Sequence, residues 1–162
     1  KSKSIGHASF YLENLISEGR VVRIDSVVYS TPEKAFVDLD VEGVMGIIKQ
    51  IMNSSTIIVE ADIFREYVNM ELNLSYSKYF YAALVRTKMN EFGLPWHRHG
   101  NLFSKNEIPY KSLIDMCRRL CRLELSNEQN MRIIQNTAWL TDAVATSNIN
   151  NWRAVSVRSR SM

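Results

Sequence analysis

The sequence predicts a mainly helical α+β fold in which short β-hairpins punctuate the helices. Three observations carry the prediction. Apolar residues recur at three- and four-residue intervals through most of the chain, as in Val44, Ile47, Ile48 and Ile51, the spacing that lines one face of a helix. Two stretches of twelve residues, GRVVRIDSVVYS at 19–30 and GLPWHRHGNLFS at 93–104, begin on a glycine and end on a serine. Both read as hairpins. A shift of 74 residues lays the first stretch on the second, the signature of a unit built twice.

Taken in order, His7–Glu18 is a helix burying Phe10, Tyr11, Leu15 and Ile16, and Gly19 stands where a C-terminal capping glycine belongs. The first hairpin pairs Arg20–Ile24 with Val27–Ser30 across Asp25-Ser26, and Thr31-Pro32-Glu33 breaks the chain. Residues 34–40 carry no clear period. Val41–Asn53 is helical, STIIV at 55–59 is a β-branched strand, and Glu60–Asn73 returns to helical spacing. After the turn NLSYS, a long helix runs from Ser77 to Phe92 and stops at Gly93. The second hairpin, Pro95–Ser104, turns at His99-Gly100-Asn101.

Beyond Pro109, Tyr110–Leu123 places Leu113, Met116, Cys117 and Leu120 on one side of a helix. Lys111, Asp115, Arg118 and Arg122 lie opposite. Ser126 with Gln129 is a capping-box signature, opening a further helix through Ile133, Ile134, Ala138, Leu140 and Val144 to about Asn148. The closing VRSRSM has neither apolar period nor bulk and is expected to be disordered.

From Val41 onward the order is therefore helix, short strand, helix, turn, helix, two-stranded hairpin. That order resembles the winged helix-turn-helix superfamily over Val41–Ser104, through element order and not through a diagnostic motif. The resemblance implies two helices bracing a third, with the hairpin projecting beside it as a wing. The repeat extends it to a tandem pair, since Ala8 falls on Ala82, Phe10 on Leu84, Leu15 on Met89, Gly19 on Gly93, Tyr29 on Phe103, Ser30 on Ser104 and Glu33 on Glu107. By the same offset the first unit would begin about thirty residues before Lys1. The chain, which opens on Lys and not Met, is thus expected to be a fragment that starts at the third helix of a truncated first unit. The expected organisation is the C-terminal part of a first winged-helix unit at 1–40 and a second unit at 41–108. A C-terminal helical hairpin at 109–152 and a disordered basic tail at 153–162 complete it.

Composition narrows the class. The 162 residues are 46% hydrophobic and 23% charged, values of a packed globular chain. No apolar run is long enough to span a membrane, and KSKSIGHASF lacks the apolar core of a signal peptide. Cys117 and Cys121 are four apart on one helix face, a poor frame for a disulfide. A reducing, intracellular setting is expected, in cytoplasm, nucleoid or nucleus. The formal charge of +3 is unevenly spread. Thr31–Leu74 holds eight acids against three bases, whereas Ser75–Asn106 holds five bases against the single acid Glu91. A basic block on an otherwise neutral body suits a polyanion.

The resemblance then assigns roles. Ser77–Phe92 would be the recognition helix, burying Tyr81, Leu84 or Val85, Met89 and Phe92 and presenting Ser75, Lys78, Tyr79, Ala82, Arg86 and Asn90 to the major groove. Arg can fork onto guanine and Asn onto adenine, while Lys, Ser and Tyr hold phosphates. On the wing, Arg98, His99 and Lys105 would contact the flanking backbone or minor groove, with His97 beside them and Trp96 packed at the hairpin base. A solvated amphipathic face is the competing explanation for the helix. Arg118, Arg119 and Arg122 form either a second phosphate-contact face or a solvated one.

The expected function is that of a DNA-binding region of a larger intracellular protein, with double-stranded DNA as partner and RNA served by the same groups. The helices after Pro109 would pack on the second unit or mediate a homodimer. The alternative is a winged-helix scaffold for protein–protein interaction within a larger assembly, favoured by the acidic stretch from Glu33 to Glu71. The position of those acids relative to Lys78, Arg86 and Arg98 separates the two. No enzyme is expected in this segment: it has no glycine-rich phosphate loop, Gly-x-Ser-x-Gly or His-Glu-x-x-His. Catalysis elsewhere in a longer parent stays open. Glu60 and Asp62 read as helix-dipole partners. No cofactor is expected; a zinc set of His97, His99, Cys117 and Cys121 is the minor rival, its Cys-x3-Cys spacing unlike a zinc knuckle.

Overall fold

A small four-stranded sheet separates two hydrophobic cores, and the alternation of its side chains decides which core each one feeds. The computed structural model describes residues 5–55 and 57–161, with side chains from Tyr11 to Arg158, Thr56 excepted. The sheet has the order β4 (His97–His99), β5 (Leu102–Ser104), β3 (Ile58–Glu60), β6 (Ala138–Trp139). β5 is antiparallel to both β4 and β3, and β6 is parallel to β3. Because successive strand residues point to opposite faces, Val59 and Phe103 enter one core while Ile58 and Leu102 enter the other.

The first core is built mainly from α3 (Val41–Ser54), α4 (Ala61–Leu72) and α5 (Lys78–Phe92). Val44, Ile48, Phe64, Val68, Tyr81, Leu84 and Val85 are each fully buried in it. Caps set the helix limits. Asp40 accepts from Gly43 N at the start of α3, and Ser77 Oγ accepts from Phe80 N at the start of α5. Gly93 closes α5 at φ 61° and Asn73 closes α4 at φ 52°, left-handed positions that end a helix by redirecting its last N–H groups.

The N-terminal segment joins this core. α1 (Ile5–Ser17) ends where Gly19, at φ 74°, lets the Gly19 and Arg20 N–H groups bond back to Ile16 O and Leu15 O. β1 (Val22–Arg23) and β2 (Tyr29–Ser30) form a separate two-stranded sheet, followed by the single turn α2 (Pro32–Ala35). Val22 and Phe36 belong to the same buried cluster as α3–α5, and the Phe36 ring meets Phe80 edge-on at 5.4 Å. The core therefore runs continuously across residues 40 and 41.

The second core comprises α6 (Leu113–Leu120), α7 (Asn127–Thr137) and α8 (Asp142–Ser161), closed around Met116, Cys117, Ile134, Ala145, Ile149 and Trp152. Ser126 and Gln129 make the reciprocal capping box read from the sequence. Asn130, fully buried, ties the α6–α7 loop by accepting from Arg122 N and donating to Arg122 O and Leu125 O.

Several expectations need correction. The single helix expected from Ser126 to about Asn148 is broken at Thr137, because Ala138-Trp139 pairs with β3 and Thr141 Oγ1 accepts from Val144 N to restart α8. The region after Pro109 therefore holds three helices and an edge strand instead of a helical hairpin. The tail expected to be disordered from residue 153 continues α8 to Ser161. Arg153 explains the extension, as its guanidinium donates to Leu123 O, Leu125 O and Asn127 Oδ1. Tyr11, expected to be buried, is 58% exposed. Phe92, placed in the buried stripe of α5, is 53% exposed, whereas Ala82, placed on its outer face, is buried. The burial expected for Phe10 lies outside the described side chains.

Candidate nucleic-acid interface

The outer face of α5 divides into two halves. Its N-terminal half is closed over. Ser77 Oγ donates to Ile24 O at 2.6 Å, and the Arg23 guanidinium lies 3.9 Å from the Tyr79 ring centre. Lys78 turns away from this face to Glu60, the N-cap of α4, with Nζ 2.9 Å from Oε1. Glu60 Oε2 accepts from Asp62 N at 2.7 Å. Burial outweighs the Lys78 charge and keeps the Glu60 carboxyl above its ordinary value. Burial also acts to raise Asp62, but hydrogen bonds from Arg65 and Thr141 prevail and hold it below its ordinary value. Ser75 is exposed in the α4–α5 turn.

The C-terminal half of α5 stays open and forms one wall of a groove of about 770 Å³. The end of α1, β1 and the β4–β5 turn complete its lining, with Tyr79, Ala82 and Ala83 of α5. Arg86, Asn90 and Thr87 of α5, Arg98 and Asn101 of the hairpin, and Arg23 of β1 all line it. Arg86 Nη2 donates to Ile16 O at 3.1 Å, which steadies one end of its fork and leaves its other N–H groups available. Arg98 is exposed overall, yet its charged end is crowded by the groove; loss of hydration first, and the neighbouring Arg86 charge second, lower its pKa from the ordinary arginine value. It remains protonated at any physiological pH.

No carboxylate of the described residues reaches Arg23, Arg86 or Arg98 within ion-pair distance. The two acids on the groove wall, Glu18 and Glu91, are instead occupied by Arg20 at 3.5 Å and Lys88 at 2.7 Å. None of the eight acids between Glu33 and Glu71 lines the groove.

Of the residues selected from the sequence, the groove thus gathers Tyr79, Arg86, Asn90 and Arg98. His99 lies in a smaller cleft with Glu60 and Lys78, and Lys105 is exposed beyond the end of β5. Arg23 and Asn101 were not selected. Arg23 sits in the first hairpin, whose proximity to α5 depends on long-range packing; in the sequence Asn101 shows only as a turn residue. Trp96 packs against the first core, as expected for a Trp beside Pro at a hairpin base. His97 and His99 are exposed while Cys117 and Cys121 are buried in the second core, and the described residues contain no cluster of three or more His, Cys, Asp or Glu placed to hold a metal ion. Among the described residues no helix is long and apolar enough to cross a membrane.

Comparison with family models, curated proteins and solved structures finds no match to this chain.

Proposed function

We propose that residues 41–104 form a winged-helix unit, preceded by part of a tandem partner, and that the chain binds double-stranded DNA through the groove between them. The observation that carries this reading is that one groove is lined by Arg86 and Asn90 of α5, Arg98 of β4 and Arg23 of β1, none of these arginines having a carboxylate partner among the described residues. Arg23 is held by Asp25 O and Ser26 O and Arg86 by Ile16 O, so their charges are fixed at the groove without being neutralised, which favours a polyanion there. The antiparallel pairing of β3 with β5, and of β5 with β4, supports this reading, since it sets a two-stranded hairpin on a short strand beside α5.

In this reading the C-terminal half of α5 is the part that approaches DNA, with Arg86 and Asn90 at base edges or phosphates and Arg98 and Lys105 along the backbone. Tyr79 lines the groove and lies against Arg23, whereas Lys78 is held by Glu60 outside it. The acidic stretch stays off the groove, which favours nucleic acid over a protein ligand there.

The test is binding of the chain to a random-sequence duplex across a salt series, beside a variant carrying Arg86→Ala, Arg98→Ala and Lys105→Ala. Steep salt dependence in the wild type and a slope flattened by about two or three in the variant support the reading. Absence of salt-dependent binding near 50 mM overturns it. A second reading, a protein-interaction scaffold, is favoured by a different observation. The N-terminal segment exposes Tyr11, Val27, Val28 and Val37, at 58%, 81%, 47% and 71%. It takes the lead if the duplex does not bind.

A further inference from the structure

Two arginines from different elements, Arg86 on α5 and Arg98 on β4, line the same groove, and the Arg86 charge acts on Arg98. Neither has a carboxylate partner among the described residues. Arg86 is anchored by Ile16 O, so this charge does not simply swing into solvent. Gly100, which turns the hairpin at φ 60°, also lines the groove, and the space beside it is open. Asn90 and Asn101 add amide donors on the same surface. A volume of about 770 Å³ lies within the range of pockets that take small ligands, about 300–1,000 Å³.

We infer that this groove holds a phosphate group between the Arg86 and Arg98 guanidiniums, at the junction of the N-terminal segment with α5. Tetrahedral oxyanions suit this arrangement: two planar forks approaching from different elements can each donate to a pair of phosphate oxygens. The dianion or diester replaces the repulsion of the two cations with attraction, and the amides satisfy the remaining oxygens. The inference takes its site from the reading above and adds the ligand's chemistry. The phosphate comes either from a nucleic-acid backbone or from a free phosphorylated molecule.

The experiment uses the whole chain and two probes. Thermal melting is followed in inorganic phosphate and in chloride at equal ionic strength, and a fluorescent duplex is titrated separately. Wild type, Arg98→Gln and Arg98→Lys are compared. Phosphate at about 20 mM should raise the wild-type midpoint by about 3 °C or more, as expected when a site is well populated. Arg98→Gln should lose most of that shift while melting no lower than wild type in chloride, because it removes the repulsion with Arg86. Arg98→Lys should keep part of the shift.

If the duplex also binds, and Arg98→Gln weakens it tenfold or more, the phosphate is that of nucleic acid. A phosphate-specific shift without duplex binding sustains the site, assigns it to a free phosphorylated ligand, and removes the DNA reading alone. Duplex binding that is indifferent to Arg98→Gln, or equal melting in phosphate and chloride, overturns the phosphate site. So does Arg98→Gln melting lower in chloride, which would make Arg98 structural.

Discussion

Lys78 Nζ lies 2.9 Å from Glu60 Oε1, and the Glu60 side chain is only 3% exposed. A lysine selected from the sequence as a phosphate contact is thus the counter-charge of a buried carboxylate. The pair joins the start of α5, the helix that lines the groove, to the N-cap of α4. Removing one partner of a buried pair leaves the other charge uncompensated, a loss of several kcal/mol.

Lys78→Ala should therefore destabilise the fold by about 2–3 kcal/mol near neutral pH, read from chemical denaturation. Lys78→Ala combined with Glu60→Gln should recover much of that loss. The pH dependence has a definite sign. The folded state keeps the Glu60 proton to higher pH than the unfolded chain does, so its contribution is fully present below the ordinary glutamate value and is lost as pH rises through the folded pKa. Taking away Lys78 raises that carboxyl further, so the penalty should shrink as the pH falls toward the glutamate range. Asp62 works in the opposite sense. Its lowered pKa gives stability present above the ordinary aspartate value and lost as pH falls through the folded one. Asp62→Asn should weaken the acid sensitivity. A Lys78→Ala penalty independent of pH would place the loss in packing and not in charge.

Asn130 gives a prediction in the second core. It is fully buried and bonds both the N–H and C=O of Arg122, as well as Leu125 O. Asn130→Ala strands these backbone groups and should cost about 2–3 kcal/mol. Asn130→Asp keeps the acceptor but places a carboxylate before two carbonyls, so it should be at least as damaging at neutral pH and milder in acid. If Asn130→Ala unfolds at the wild-type denaturant midpoint, water satisfies the loop instead.

Elements whose cause lies within about ten residues were legible in the sequence. Gly93 and Ser77 bracket α5, and the Ser126–Gln129 box opens α7, because caps act on the nearest turn. What escaped was set by distant partners. Ala138-Trp139 has apolar spacing compatible with the helix before it; only pairing with β3, Ile58 with Ala138 and Val59 with Trp139, makes it a strand. Arg153 looks like tail charge until the carbonyls of Leu123 and Leu125 come within its reach. The candidate site divides in the same way. Arg86, Asn90 and Arg98 could be selected for residue type and helix face, whereas the Lys78 pairing and the contribution of Arg23 depend on which elements pack together.

The cysteines test the second core chemically. Both are buried, and Cys117 is pushed up to about 12, by burial first and by the neighbouring Cys121 second. Thiolate is the reactive form, so a buried thiol held this high should be inert. Ellman's reagent at pH 8 should label neither cysteine in the native chain over minutes, and both on unfolding. Equimolar zinc should leave the melting midpoint unchanged. Rapid native labelling, or a zinc-dependent rise in midpoint, would revive the metal set with His97 and His99.

Truncation separates a structural α8 from a disordered tail. Trp152 is 5% exposed in the second core, and Arg153 makes three hydrogen bonds to the α6–α7 loop and the start of α7. Past them, Val155 and Val157 are 45% and 51% exposed, and Arg158 donates to Ala154 O within its own helix. A chain ending at Val157 should keep stability within about 0.5 kcal/mol of the full length, as surface changes usually do. Ending at Trp152 removes the Arg153 bonds and should cost about 2–3 kcal/mol, since charged donors leave three acceptors behind. Ending at Asn151 also removes a buried indole, worth about 3–5 kcal/mol on its own, and should leave the second core largely unfolded. The decisive comparison is Val157 against Trp152. Equal stability would mean that Arg153 contributes nothing and that the chain from residue 153 is a tail after all. A step between them places the end of the folded domain inside α8, after Arg153.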